Sequence, residues 1–271
     1  MGHLTRRAGM AQSGCGGTCR WSSNVVSAGM TPEDLVARVL YRDALMLVID
    51  KPSGLPVHAG PKGGETLDQH FDALSFGLPR RPELAHRLDR ETSGCLVLGR
   101  HRKALADLGK MFQRGTIEKI YLAVVRGGPP DEAGRVDIPI SKRDAQRGWF
   151  MKVDHENGQT ASTSYRVLGR AGGFSLLELT LHTGRTHQIR VHMAALGCPV
   201  LGERIYATSP PPPAGPVLHL HSWRVGVPLY PRREMIRVTA PLPPHIAATV
   251  QALGFGAILD TADETIGVER V

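Results

Sequence analysis

Apolar residues in this 271-residue chain fall into short strand-length runs and helical stripes, separated by turn residues. The first 29 residues have no hydrophobic period and no acidic residue, and they read as a disordered tail. Order is expected from Thr31, an N-cap followed by Pro32, Glu33 and Asp34, which starts a helix running to about Leu40. Leu45–Ile49 reads as a buried strand that the turn Asp50-Lys-Pro-Ser-Gly-Leu-Pro56 stops. Leu67, Phe71 and Leu74 behind Thr66 give a short amphipathic helix, and Cys95–Gly99 a second buried strand. Ala104, Leu105, Leu108, Met111 and Phe112 mark a helix face that Gly115 caps. Lys119–Val125 is a strand with Tyr121, Ala123 and Val125 on one face and Ile120, Leu122 and Val124 on the other. From Ser141 to Gly158 a polar, basic stretch reads as an exposed hairpin or arm. Strands follow at Thr160–Leu168 and Phe174–His182, the latter with the alternation of a half-buried antiparallel sheet. Thr186 can cap a helix whose stripe is Ile189, Met193 and Leu196, ended by Gly197, with its basic residues elsewhere on its surface. Pro210–Pro213 make a semi-rigid spacer, and the last 20 or so residues a mildly acidic tail.

Composition narrows the class. At 41% hydrophobic the chain has enough apolar material for a well-buried core. No apolar run approaches the roughly 20 residues that cross a bilayer, so a membrane span is not expected. Four scattered cysteines, Cys15, Cys19, Cys95 and Cys198, do not make a disulfide framework and fit a reducing cytoplasm. For the Arg- and Ser-bearing N-terminus, a transit peptide or a translation start at Met30 are alternatives to a genuine tail. Charge adds more once it is located. Between Arg80 and Arg190 there are 20 Lys and Arg against 12 Asp and Glu, which accounts for the whole net charge of +8. Such a concentrated excess suits a polyanionic partner, since phosphates neutralised by Lys and Arg release counterions.

Two stretches are chemically dense. In His86-Arg-Leu-Asp-Arg-Glu-Thr-Ser-Gly94, Asp89 stands between Arg87 and Arg90, which favour its ionised form and so a nucleophile or base. A surface salt-bridge cluster is the alternative. In His182-Thr-Gly-Arg-Thr-His-Gln-Ile-Arg-Val-His192 a strand enters a helix near Arg185 and Arg190, which makes an anion site or a solvated basic face. His182, His187 and His192 are spaced by five, which does not align them on a helix, so no metal is expected. Tyr121 is either a stacking platform for a base or a half-buried sheet tyrosine. Around Trp149, Phe150 and Met151, the basic Lys142, Arg143, Arg147 and Lys152 either grip phosphates or decorate an ordinary hairpin.

The two dense stretches together resemble signature motifs of the RluA-type RNA pseudouridine synthases. Asp50-Lys-Pro-Ser-Gly54, Lys119-Ile-Tyr-Leu-Ala123 and Leu196-Gly-Cys-Pro-Val-Leu-Gly-Glu-Arg-Ile-Tyr206 match in the same order, so the resemblance spans about 45–244. It implies a mixed α/β fold around a long, mainly antiparallel sheet with flanking helices and a catalytic cleft across its middle. The implied layout is a tail over 1–29, a catalytic domain over 30–248 and a tail over 249–271, with no room for an S4 RNA-binding domain. The implied catalytic residues are Asp89, Tyr121 stacking on the uracil, and Arg190 pairing with the carboxylate. Arg87 would fill the RNA stack, with His86, Arg90, Arg185, His187, Lys142, Arg143 and Arg147 as further RNA contacts. The partner would be a structured ribosomal or transfer RNA bound by a monomer in the cytoplasm. Turning a uracil from an N1 to a C5 linkage consumes neither water nor redox equivalents, so no cofactor is expected. Asp89 would attack C1′ or take the 2′ proton, and the residues do not choose between these. A glycosylase using the same carboxylate would release free uracil, and a non-catalytic RNA-binding protein would leave the RNA unchanged.

Overall fold

The two-faced strand at Lys119–Val125 lies near the middle of the architecture in the computed structural model, which describes residues 29–60, 63–143, 150–209 and 215–257. In chain order the strands are β1 (Val39–Arg42), β2 (Met46–Lys51), β3 (Glu83–Leu84), β4 (Ser93–Gly99), β5 (Glu118–Arg126) and β6 (Ala133–Asp137). They continue as β7 (Ile140–Lys142), β8 (Met151–Val153), β9 (Ser162–Ala171), β10 (Phe174–Leu181), β11 (Leu220–Val227) and β12 (Ile236–Thr239). The helices are α1 (Pro32–Val36), α2 (Arg102–Arg114), α3 (Gln188–Ala195) and α4 (Pro244–Ala252), with a 3-10 helix over Leu67–Leu74. Among the described residues, ten strands form one sheet with the path β1-β2-β4-β11-β5-β10-β9-β6, while β12 pairs with β11 and β3 with β4. Every pairing in it is antiparallel except β11 with β4, where His221 lies opposite Ser93 and Ser222 opposite Gly94. The fold is therefore the mixed α/β arrangement around a long, mainly antiparallel sheet that the family resemblance implies.

The alternation along β5 divides the core in two. Tyr121, Ala123 and Val125 pack with Leu177, Leu179 and, from α3, Ile189 and Met193. Leu122 and Val124 pack with Leu176, Trp223 and, from α4 and the chain just beyond it, Ile246, Val250 and Phe255. Leu67, Phe71 and Leu74 join the first cluster beside Leu47, Ile49 and Leu96. No helix of the described residues is long and apolar enough to cross a membrane.

Several local expectations need correction. The helix capped by Thr31 stops at Val36, because Val39–Arg42 instead pairs with β2 to extend the sheet. The segment behind Thr66 winds as a 3-10 helix. Helix α3 begins at Gln188, not at Thr186; its N-cap is His187, in the left-handed region at φ 54°, and no side chain caps it. Gln188 through Met193 are all buried, so this helix has no solvated basic face. The stretch after Ser141 is not a free arm, since Ile140 and Met151 of β7 and β8 pack with Val191 of α3. A domain end at 248 falls inside α4, whose Thr249 and Val250 are buried, and Phe255 beyond it is 3% exposed. Residues 1–28 and 258–271, the Pro210–Pro213 spacer, Arg147 and Trp149 lie outside the described residues.

Candidate active site

The loop that carries Asp89 is held from below by the turn after β2. Lys51 is fully buried and its ammonium donates to the carbonyls of Pro52 at 2.7 Å and Arg90 at 3.0 Å. Ser53 donates to the Glu91 carbonyl at 2.7 Å, and the Gly54 N–H to that of Arg90. Burial draws the Lys51 pKa down to about 7, with Glu91, Asp89 and Asp50 acting against that fall. The Thr92 N–H closes a turn onto the Asp89 carbonyl, and the chain then enters β4 through Gly94. Gly94 has φ +103°, and a Cβ there would lie 2.2 Å from the Ser222 carbonyl oxygen of β11. The parallel pairing of β4 and β11 thus requires glycine at this position.

Strand β5 presents Tyr121 to the same region. The ring is 6% exposed, its hydroxyl hydrogen-bonds Ser222 on β11, and burial raises its pKa. Behind Asp89 lies a connected polar set from α3 and the turn that follows it. Arg190, its side chain 5% exposed, forks onto fully buried Glu203, with Nε at 2.7 Å from Oε2 and Nη2 at 2.8 Å from Oε1. The N–H groups of Ile205 and Tyr206 also donate to Glu203 Oε1. Burial works against both charges, but their hydrogen bonds and mutual attraction outweigh it, raising the Arg190 pKa and lowering that of Glu203. Arg190 Nη1 reaches to 3.4 Å from His187 Nε2, which lies 3.9 Å from Asp89 Oδ1. His187 Nδ1 lies 2.6 Å from the Tyr206 hydroxyl, which accepts from the Met151 N–H of β8. Burial holds His187 below its ordinary pKa, with Asp89 pulling the other way and Arg190 adding to the fall.

Asp89, Tyr121, His187 and Arg190 line one cleft of about 570 Å³, with Glu203 and Tyr206 behind its wall, and Asp89 is the single carboxylate among its lining residues. His86, Arg87 and Arg185 line it too. The expected partners of Asp89 are engaged elsewhere. Arg87 meets His58 at 3.0 Å, and Arg90 bonds the Gly54 carbonyl and faces Glu91 at 3.7 Å, so neither flanking arginine pairs with Asp89. Arg190 makes its ion pair with Glu203, and its charge reaches Asp89 through space and beside His187. His86 lines the cleft, accepts the Val97 N–H and stacks on Phe112, with burial lowering its pKa to about 3. Lys142 and Arg143 are exposed on the hairpin outside the cleft. His182 bonds Ser164 and His192 bonds Thr163 and the Ile138 carbonyl, and no three His, Cys, Asp or Glu among the described residues could share a metal ion. The reading from sequence missed Glu203 and Tyr206, whose segment had drawn notice only as a match between motifs. It also missed the lining by Gln113 and Arg114 of α2, a helix that had been marked only for its apolar face and its cap.

The sequence model of RNA pseudouridylate synthase matches residues 45–195, a span that holds the Asp89 loop, Tyr121 and α3. The chain belongs to the RNA pseudouridylate synthase family. An uncharacterized RNA pseudouridine synthase of Zymomonas mobilis is 37% identical over 211 residues, covering 77% of this chain and 95% of the relative. The ribosomal large subunit pseudouridine synthase D of Nitrosomonas europaea is 34% identical over 247 residues, covering 84% and 70%. The solved structure of human RNA pseudouridylate synthase domain containing 4 superposes with a TM-score of 0.70 at 27% identity, over 82% of this chain and 95% of that one. This pseudouridine synthase is thus an isomerase that modifies RNA.

Proposed function

We propose that this pseudouridine synthase modifies uridine in structured ribosomal RNA, with Asp89 as the catalytic carboxylate. The observation that carries the assignment is the cleft itself: one carboxylate, 25% exposed at its side chain, among basic and aromatic lining residues. A glycosidase pair would need two carboxylates flanking the bond. The first RNA to test is that of the large ribosomal subunit, the RNA in the name of the Nitrosomonas europaea relative. Such a substrate puts the work in the cytoplasm, and the proposed catalytic unit extends from about residue 30 to Phe255.

In this reading the target nucleotide leaves the helix, Arg87 fills the vacated stack, and the uracil lies on Tyr121. Asp89 attacks C1′ or removes the 2′ proton as the N1–C1′ bond breaks, and the freed ring turns and rejoins through C5. Tyr121 supports the ring and, through its hydroxyl, assists loss of the C5 proton. Arg190 acts at one remove, its charge fixed by Glu203 and passed to Asp89 partly through the imidazole of His187. Arg185 at the rim, with Arg90, Lys142 and Arg143 outside the cleft, would contact phosphates, as would Arg147 of the same basic stretch.

The test is to incubate the purified chain with unmodified large-subunit ribosomal, small-subunit ribosomal and transfer RNA and to analyse the nucleosides. Pseudouridine at one or a few positions of the large-subunit RNA is expected. Asp89→Asn abolishes it, by at least 10³-fold in rate on the order expected for a lost nucleophile or base, while RNA affinity stays within about threefold. Free uracil, or an active Asp89→Asn variant, would overturn the assignment.

A further inference from the structure

Lys119 takes no part in the scheme above, yet it lines the cleft. It stands two residues before Tyr121 on β5, so alternation sends both side chains to one face, their Cα atoms about 6–7 Å apart. The residue is 8% exposed, and among the described residues its ammonium makes no hydrogen bond or ion pair. The only influence on its pKa is burial, which lowers it, and no carboxylate pulls against that. The Nζ faces the turn after β10, since a Cβ built on Gly184 would sit 3.7 Å from it. Around the same cleft stand Arg87, Arg114 and Arg185, of which Arg185 spends its Nε on the Thr160 carbonyl.

The Lys119 stem is buried while its Nζ is not among the buried unpartnered atoms, so the ammonium opens into the cleft with no protein group among the described residues to pair with it. An unpaired cation at the floor of a basic cleft is placed to receive an anion that enters it. A uracil carbonyl is a poor match, since it needs one donor and not a field of several cations, whereas a phosphate oxygen suits that field. We propose that Lys119 anchors a phosphate subsite on the cleft floor, holding the RNA backbone beside the flipped uridine. This rests on the reading of the cleft as the uridine site, and it adds a contact that fixes the strand while the base turns.

The experiment compares wild type, Lys119→Met and Lys119→Arg for thermal unfolding and for binding to an unmodified transcript of large-subunit ribosomal RNA over a range of salt. Lys119→Met is expected to unfold no earlier than wild type, because no protein group pairs with the charge it removes and the apolar stem is kept. Its affinity at low salt falls about tenfold, and the slope of log affinity against log salt shrinks by about 1. Lys119→Arg keeps the slope. A Lys119→Met variant with wild-type slope and affinity overturns the subsite. Should that variant not fold, a neutral methylphosphonate placed at each linkage flanking the modified uridine decides on wild type alone. Loss of affinity at one linkage supports the subsite and loss at none overturns it. Absence of pseudouridine with wild type would count against the ribosomal substrate, and the salt slopes would still report on Lys119.

Discussion

Glu203 is fully buried and accepts four hydrogen bonds, two from Arg190 and one each from the N–H groups of Ile205 and Tyr206. Removing its charge leaves the Arg190 guanidinium buried without a counterion, a loss of about 3–5 kcal/mol in comparable cases. Glu203→Gln is therefore expected to lower the thermal midpoint and to cut the single-turnover rate more than RNA affinity. Tyr206→Phe is the milder probe. It keeps the ring beside Arg190 but removes the hydroxyl shared by His187 and the Met151 N–H, so the fold stays intact and the rate falls roughly tenfold, about 1.4 kcal/mol. Single-turnover rates and binding constants measured on both variants separate positioning from RNA binding, and equal losses in the two quantities would refute the positioning role. Asp89, Tyr121 and Arg190 were legible because their residue types sit in recognisable strings. Their pairing was not, because adjacency in sequence does not say where a guanidinium points. Arg87 and Arg90 flank Asp89 in the chain and bond to His58 and Gly54 in space.

Strands and helices with a clean period were equally legible. The two faces of β5 enter two different cores as the alternation requires, and Gly115 caps α2 at φ 69°. β11 was not legible. All eight of its residues are buried, yet His221, Ser222 and Arg224 interrupt the apolar pattern that would announce a central strand. Those polar groups have local reasons: His221 bonds Ser93, Ser222 bonds the Cys95 carbonyl, and Arg224 stacks on Trp223. β11 joins β4 to β5 and so brings the Asp89 loop beside Tyr121, which gives Gly94 its importance. Gly94→Ala drives a methyl into the Ser222 carbonyl and forces a residue with a side chain to φ +103°. Such a change should open the β4–β11 pairing and cost several kcal/mol, about 3 or more when strain and overpacking combine. Gly109→Ala on α2, where an added Cβ meets nothing within 4 Å, is the control. It should stabilise by about 1 kcal/mol through helix propensity. Denaturant melts of the two variants check the contrast, and a Gly94→Ala protein as stable as wild type would contradict the close approach.

At the scale of the whole molecule, the central charge excess collects at a cleft while the histidines divide into two populations. His187 lines the cleft, whereas His219 and His221, 1% and 0% exposed, are part of the core joining β11 to α4 and β4. Burial lowers each of these two to a pKa of about 4 from the ordinary 6.5. The unfolded chain therefore takes up a proton at each below about pH 6.5 while the folded chain does not, so stability falls as pH falls toward 4. With about 1.4 kcal/mol per unit, each histidine removes about 2 kcal/mol by pH 5. Asp50 acts in the opposite sense, since burial raises it to about 6 and its protonation favours the folded state below that pH. Its return by pH 5 is about 1.4 kcal/mol, too little to offset two histidines. Urea unfolding at pH 7.0, 6.0 and 5.0 should thus show a net loss of about 2–3 kcal/mol from these three groups, deepened by His86, which burial also lowers. His219→Gln, which cannot titrate, should shrink that loss by about 2 kcal/mol whatever it does to stability at pH 7. A wild-type stability that is flat or rising from pH 7 to 5 would mean that these histidines take up protons in the folded protein, and that the β11 core is open to water.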